Sequence, residues 1–208
     1  MQTRARATLI VFARAPRAGA VKTRLIPRLG AQGAARLQRR LIARTVRMAQ
    51  AVGRVELHTT RAHAWLNTLR VPLRLQRGRD LGARMYEALR HALRRQRAVV
   101  LIGADAPALQ PVDLRRAIRF LQGGADVVLS PAEDGGYALI GARRIEPRIF
   151  ESVRWGESEV LAQTLRNLER CGLRYRLLRT VWDIDRPDDL DRLRSLRSSS
   201  ASRPHARR

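Results

Sequence analysis

The chain has 208 residues, 45% of them hydrophobic and only 4% aromatic, with a formal net charge of +24. That length and apolar content define a globular protein whose core is built from Leu, Val, Ile and Ala. A single cysteine, Cys171, excludes an internal disulfide and a multi-cysteine zinc site, and no apolar run approaches the ~20 residues of a membrane span.

The four histidines (His58, His63, His91 and His205) show no metal-ligand spacing. The arginines are scattered through every segment, with few aromatics among them to stack on bases, which argues against a nucleic-acid partner. The first apolar stretch, "ATLIVFA", has strand length and no cleavage site, so the sequence predicts a cytoplasmic protein. The reading is one domain over residues 1–197, followed by a low-complexity basic tail, 198–208, expected to be disordered.

In chain order, "TLIVFA" (Thr8–Ala13) has the continuous β-branched pattern of a strand buried on both faces. A Pro/Gly/Ala-rich loop follows, then a helical pattern from about Ala31 to Ala51. "RVELHTT" (Arg54–Thr60) and "VPLRLQ" (Val71–Gln76) read as strands, the second kept short by Pro72. Apolar residues at Leu81, Met85, Ala88, Leu89 and Ala92 predict a helix over Leu81–Arg95. "AVVLIGADAP" is a strand-to-loop transition, and Pro111 suits the first turn of a helix running to Leu121. "ADVVLSP" and "GYALIG" form a strand pair around "AEDG". A helix over Glu157–Cys171, a last strand in "LRYRLL" and a short helix after Pro187 complete the chain. The alternation predicts a three-layer α/β/α sandwich, with a mostly parallel sheet and an antiparallel insertion.

In such sheets ligands bind outside the carboxyl ends of the strands. That edge collects Gly19, Lys22, Thr23 and Arg24 after the first strand, and Asp105 after "VVLIG". It also collects Glu133, Asp134, Gly135, Gly136 and Tyr137 between the paired strands, and Asp183 and Asp185 in "WDID". Lys22 is the only lysine among 42 Lys and Arg residues. Its ammonium is a compact point charge suited to one phosphate oxygen, whereas guanidinium is a planar fork. The segment is neither a Walker A loop nor G-x-G-x-x-G, because Val21 stands where the second Walker glycine must be. Asp105 lies at the mouth of a buried strand and suits Mg²⁺ (or Mn²⁺), which takes one or two carboxylates plus substrate phosphates. Asp183 and Asp185 alternate in an extended segment, so only one is expected to face the site. Asp188 and Asp189 read as a helix start, and "EDGG" is itself a hairpin-turn signal.

Six ordered blocks, "PRAGAVKTRL", "QRGRDLGARM", "LIGADAPAL", "SPAEDGGYALIG", "VRWGESEVLAQT" and "WDIDRPDDL", resemble the bacterial DUF2064 family of the GT-A nucleotide-diphospho-sugar transferase superfamily. They span about Leu9 to Leu193. A more distant likeness runs to nucleotidyltransferases of the same fold. The resemblance implies that Lys22 and Arg24 bind nucleotide phosphates, that Asp105 binds the metal with Asp183 or Asp185, and that the Gly82 region lies near the base. "GADAP" has one aspartate where many GT-A glycosyltransferases have D-x-D, which is closer to the nucleotidyltransferases.

Three readings follow. The first is a metal-dependent glycosyltransferase using a nucleotide-diphospho-sugar donor and a small-molecule acceptor. There Lys22, Asp105 and Asp134 are catalytic, and Glu133 or Asp134 orients the acceptor or serves as its base. The second joins an NTP to a small phosphorylated acceptor and releases pyrophosphate. The third, a non-catalytic nucleic-acid binder, explains the charge but leaves the carboxylates idle.

Overall fold

The computed structural model describes residues 7–201. The first apolar run forms β1 (Thr8–Ala13), buried at all six positions, as an unalternating sequence requires. A loop and a 3-10 turn (Thr23–Leu25) lead into α1 (Ile26–Gln50), which is broken at Gly30. There follow β2 (Arg54–Thr59), a 3-10 segment (Ala64–Leu69), β3 (Leu73–Leu75), α2 (Leu81–Leu93) and β4 (Val99–Gly103). The second half holds α3 (Pro111–Gln122), β5 (Val127–Pro131), β6 (Tyr137–Ala142) and a 3-10 turn (Pro147–Phe150). It closes with α4 (Val160–Arg170), β7 (Tyr175–Leu177) and α5 (Asp189–Ala201).

The seven strands make one sheet in the order β3-β2-β1-β4-β6-β5-β7. Strand β6 runs antiparallel to both its neighbours, β4 and β5, and the other pairings are parallel. The mostly parallel sheet with an antiparallel insertion is thus the architecture expected from the sequence. Its consequence is positional. The carboxyl ends of β1, β4 and β5 and the start of β6 all meet at one edge.

Alternation along each strand divides the core between two faces. Leu9, Val11, Val100 and Ile102 pack on one side with Ile42 and Val46 of α1 and Leu114 and Leu121 of α3. Ile10, Phe12, Leu101 and Ile140 pack on the other with Met85 and Leu89 of α2 and Leu168 of α4. A third cluster (Leu25, Leu37, Leu41, Trp182, Ile184 and Leu190) lies beneath the carboxyl edge. It fastens the 3-10 turn after Lys22 to the "WDID" segment and α5.

Several boundaries moved, each for a local reason. Regular α1 begins after Gly30, whose φ of 66° and ψ of 162° interrupt the helix, so the sequence-based start at Ala31 marks the unbroken part. α4 begins at Val160 rather than Glu157, because the preceding residues form a loop on which Gly135 is seated. The two longer 3-10 segments leave no signal in the sequence, because runs of four to six residues carry too little periodicity. α5 runs to Ala201, into the first residues read as tail, and the rest of that reading lies outside the described residues. Among the described residues no helix is long and apolar enough to cross a membrane.

Candidate active site at the carboxyl edge of the sheet

Lys22 occupies the left-handed backbone region (φ 48°, ψ 44°), uncommon for a residue with a Cβ. This conformation turns the chain from the loop after β1 into the 3-10 turn. The side chain, only 8% exposed, points its ammonium at the loop after β4. Nζ donates to Asp105 Oδ2 at 3.2 Å and to the Ile184 carbonyl. An ammonium has three N–H donors, so one remains.

Asp105 has its place because β4 ends on glycine. A Cβ at Gly103 would stand 2.9 Å from Asp105 Oδ1, so the glycine makes room for the carboxylate. Backbone hydrogen bonds then lock the loops together: Ala104 N–H to Phe12 O at 3.0 Å, Ile184 N–H to Asp105 O at 2.9 Å, and Glu133 N–H to Val181 O at 3.0 Å. The site is therefore knit from main chain rather than hung on mobile side chains.

Of the two "WDID" aspartates, Asp185 lines the cleft over this edge and Asp183 does not. Asp185 is held by Arg24. Asp183 carries a carboxyl pushed up to about 6, first by burial and then by the negative charges of Asp105 and Asp134, with Lys22 opposing. Asp105, Asp134 and Asp183 thus share one field. Asp189 behaves as a helix-start acid, accepting from the Asp185 and Arg186 N–H groups.

A cleft of about 550 Å³ opens over this edge, within the range of small-molecule pockets. Lys22, Thr23, Arg24, Asp105, Tyr137 and Asp185 all line it. So do Arg14, Gln76 and Arg84, which sequence reasoning missed. Gln76 is fixed by donating to the Ala13 and His58 carbonyls. Arg84 stands two residues past the glycine of "DLGARM", but one arginine among so many gave no signal.

Other predicted residues sit elsewhere. Gly82 is buried in the first turn of α2, where a Cβ would lie 2.6 Å from the Trp155 ring and 2.8 Å from Phe150, and it does not line the cleft. Its neighbours Leu81, Arg84 and Met85 do. Gly19 (φ 78°) shapes the exposed loop before Lys22. Gly135 (φ 87°) lies so close to the Ser158 carbonyl that a Cβ would be 1.9 Å away, and Asp134 Oδ1 accepts the Gly136 N–H at 2.9 Å. The "EDGG" turn is thereby fixed against the loop before α4. Tyr137 packs edge-on against Trp155, its hydroxyl raised by burial. Glu133 turns away from the cleft to a bidentate pair with Arg192 (2.6 and 2.8 Å), which holds its carboxyl below the usual range.

Among the described residues no three carboxylate, imidazole or thiol groups form a ready-made metal cage. The residues nevertheless fit a magnesium-like ion. Such an ion binds through one or two carboxylates and fills its shell with water and substrate phosphate, and mutually repelling carboxylates at Asp105 and Asp183 are what it would relieve.

The profile of a family described as "uncharacterized protein conserved in bacteria (DUF2064)" matches residues 34–157. No curated protein matches the sequence. A candidate nucleotide-diphospho-sugar transferase from Desulfovibrio desulfuricans G20 is similar in structure, with a TM-score of 0.86 and 30% identity over 97% of this chain and 92% of that one. CMP:2-keto-3-deoxy-manno-octonic acid synthetase, solved with CTP, shares the fold at TM-score 0.60 and 12% identity, over 94% of this chain and all of the other. Rv0371c of Mycobacterium tuberculosis H37Rv, solved with manganese, does so at TM-score 0.52 and 18% identity, over 90% and 97% of the two chains.

Proposed function

The chain belongs to the DUF2064 family, and from that premise we propose that it is a metal-dependent transferase acting on a nucleotide-diphospho-sugar. The observation that carries this reading is the Lys22–Asp105 pair, with the Arg24–Asp185 pair beside it, in a cleft at the carboxyl edge of the sheet. Phosphates of the donor would enter the cleft between the loop after β1 and the loop after β4. The remaining N–H of Lys22 would donate to a phosphate oxygen, with Arg24, Arg14 and Arg84 around the mouth adding positive potential. Thr23 offers a hydroxyl on the same turn. Mg²⁺ or Mn²⁺, held by Asp105 and Asp183, would supply charge neutralisation on the departing diphosphate. Asp185, bound to Arg24, would position that guanidinium rather than hold metal.

Lys22 is fixed before substrate arrives, so its charge needs no reorganisation as the leaving group develops. Asp134 has one oxygen engaged by Gly136, leaving the other to orient an acceptor hydroxyl or take its proton, a contribution of ~10²–10⁴-fold. The lone cysteine and the lack of a spanning helix among the described residues accord with a cytoplasmic site of action.

One feature favours a second reading. The acids come from two separate loops and not from adjacent D-x-D positions, as the single aspartate of "GADAP" implied. Nucleotidyl transfer with loss of pyrophosphate would use the same residues. Product analysis separates the two. Release of a nucleoside diphosphate from an NDP-sugar is the expected result, and pyrophosphate from an NTP would replace it with the second reading. Turnover of neither, across a full donor panel with Mg²⁺, would remove both.

A further inference from the structure

Helix α1 contains no acidic residue over its 25 positions. Its arginines 36, 40, 44 and 47 follow one another at i+4, i+4 and i+3, which places them on a single ridge, with Arg39 beside it. The ridge is about 16 Å long at 1.5 Å per residue. It forms one wall of a groove of about 1420 Å³, separate from the catalytic cleft.

Two facts distinguish this ridge from an ordinary solvated face. Among the described residues, none of Arg36, Arg39, Arg40, Arg44 or Arg47 has an acidic partner, although the other arginines in the groove, Arg179 and Arg192, are paired with Asp113 and Glu133. Moreover, Arg39 Nε and Arg44 Nη1 are buried and have no hydrogen-bond acceptor. Buried guanidinium N–H groups left unpaired are costly, and burial lowers the Arg44 pKa. The acceptors they lack are those an anion would bring.

The far wall names the anion's role. It includes Pro107, Glu133 and Trp182, and each is within two residues of Asp105, Asp134 or Asp183. The loop after β4 and the segment ending in "WDID" therefore contribute residues to both cavities, and the Asp134 loop contributes Glu133 to the groove. Nucleic acid fits poorly. Of the two tryptophans of the groove, Trp182 is buried and has Arg192 over its ring at 4.8 Å, and Trp65 already carries Arg39 over one face at 5.8 Å, which leaves little aromatic surface to stack a base.

We propose that the α1 groove binds the phosphate-bearing portion of a small-molecule acceptor, laid along the arginine ridge with its reactive end at the Asp134 loop. As an acceptor subsite this rests on the transferase reading; as an anion site it stands alone.

The probe is inorganic tripolyphosphate, titrated calorimetrically into a Lys22→Ala background so that the catalytic cleft contributes little. Two variants are compared: Arg36→Gln/Arg40→Gln/Arg47→Gln, confined to exposed positions, and Arg39→Gln/Arg44→Gln, with melting temperatures confirming that both fold. Each should weaken binding at least about tenfold, as expected for lost charge-assisted hydrogen bonds. Nucleotide binding, measured with Lys22 intact, should be unchanged by either. No binding in the Lys22→Ala background, or equal affinity in the groove variants, would overturn the proposal. So would groove-dependent binding of a 12-mer oligothymidylate or of phosphatidylglycerol vesicles tighter than that of tripolyphosphate. If wild type binds tripolyphosphate in the groove but no nucleotide in the cleft, the transferase reading fails and the anion site survives.

Discussion

Replacing Lys22 by arginine isolates the head group, because both residues pay the same penalty for the left-handed backbone at φ 48°. Positive charge is also conserved. What changes is shape: Nζ sits between Asp105 Oδ2, at 3.2 Å, and the Ile184 carbonyl, in a position where the side chain is only 8% exposed. A planar guanidinium reaches farther and cannot place one donor on each acceptor while directing a third at a phosphate. Loss of even one contact made in the transition state should lower kcat/KM at least ~10-fold, or about 1.4 kcal/mol. Lys22→Ala should cost more in activity. It also removes a charged hydrogen bond to a buried carbonyl, worth about 1.5 kcal/mol, while the half-exposed Asp105 recovers water. The melting temperature should fall by roughly 3–6 °C for a domain of this size. The assay is donor turnover at saturating Mg²⁺ alongside thermal unfolding. Wild-type kcat/KM in Lys22→Arg would mean that the shape of the ammonium is not used, and the lone lysine would then be an accident of composition.

Further outcomes are expected at neighbouring positions. Asp105→Asn keeps the carboxylate's shape and removes its charge, so turnover should collapse while circular dichroism stays native; near-normal turnover at saturating substrate would remove Asp105 as a metal ligand. Asp183 has a folded-state pKa of about 6, above its unfolded value, so the folded state loses stability as pH rises from about 4 to 6 and stays penalised above that. Asp183→Asn should therefore melt higher than wild type at pH 8 and equally at pH 3, as differential scanning calorimetry would record. Gly135→Ala adds a Cβ 1.9 Å from the Ser158 carbonyl at φ 87°, and backbone cannot yield cheaply there. A loss of more than about 3 kcal/mol in denaturant unfolding is expected.

The parts legible in the sequence were those written in long-range pattern. β1 and β4 are nearly continuous apolar runs, and burial at nearly every position is what such runs mean. Lys22 stood out by composition and Asp105 by its place after a buried strand; the cleft brings the two side chains together. Other features depend on contacts that only the fold creates. Gly82 and Gly135 both read as site glycines, yet each is explained by what its missing Cβ would strike, Trp155 in one case and the Ser158 backbone in the other. Glu133 and Asp134 are adjacent and chemically alike, but one faces Arg192 and the other the field of Asp105 and Asp183. Arg84 and the α1 ridge were hidden by abundance, since one more arginine carries little information in a chain with 42 Lys and Arg.

On the proposed reading, the cleft above Lys22 and Asp105 binds a nucleotide-activated donor together with a divalent cation. A thermal-shift screen of NTPs and NDP-sugars, with and without Mg²⁺, tests it most directly. A donor at 100 times its Kd stabilises by about 2.7 kcal/mol, so the melting temperature should rise by roughly 5–10 °C. That rise should require Mg²⁺ and vanish in Asp105→Asn. Melting temperatures indifferent to every nucleotide, or a rise unaffected by removing Mg²⁺ and Asp105, would mean that the cleft does not bind a donor through a metal at Asp105.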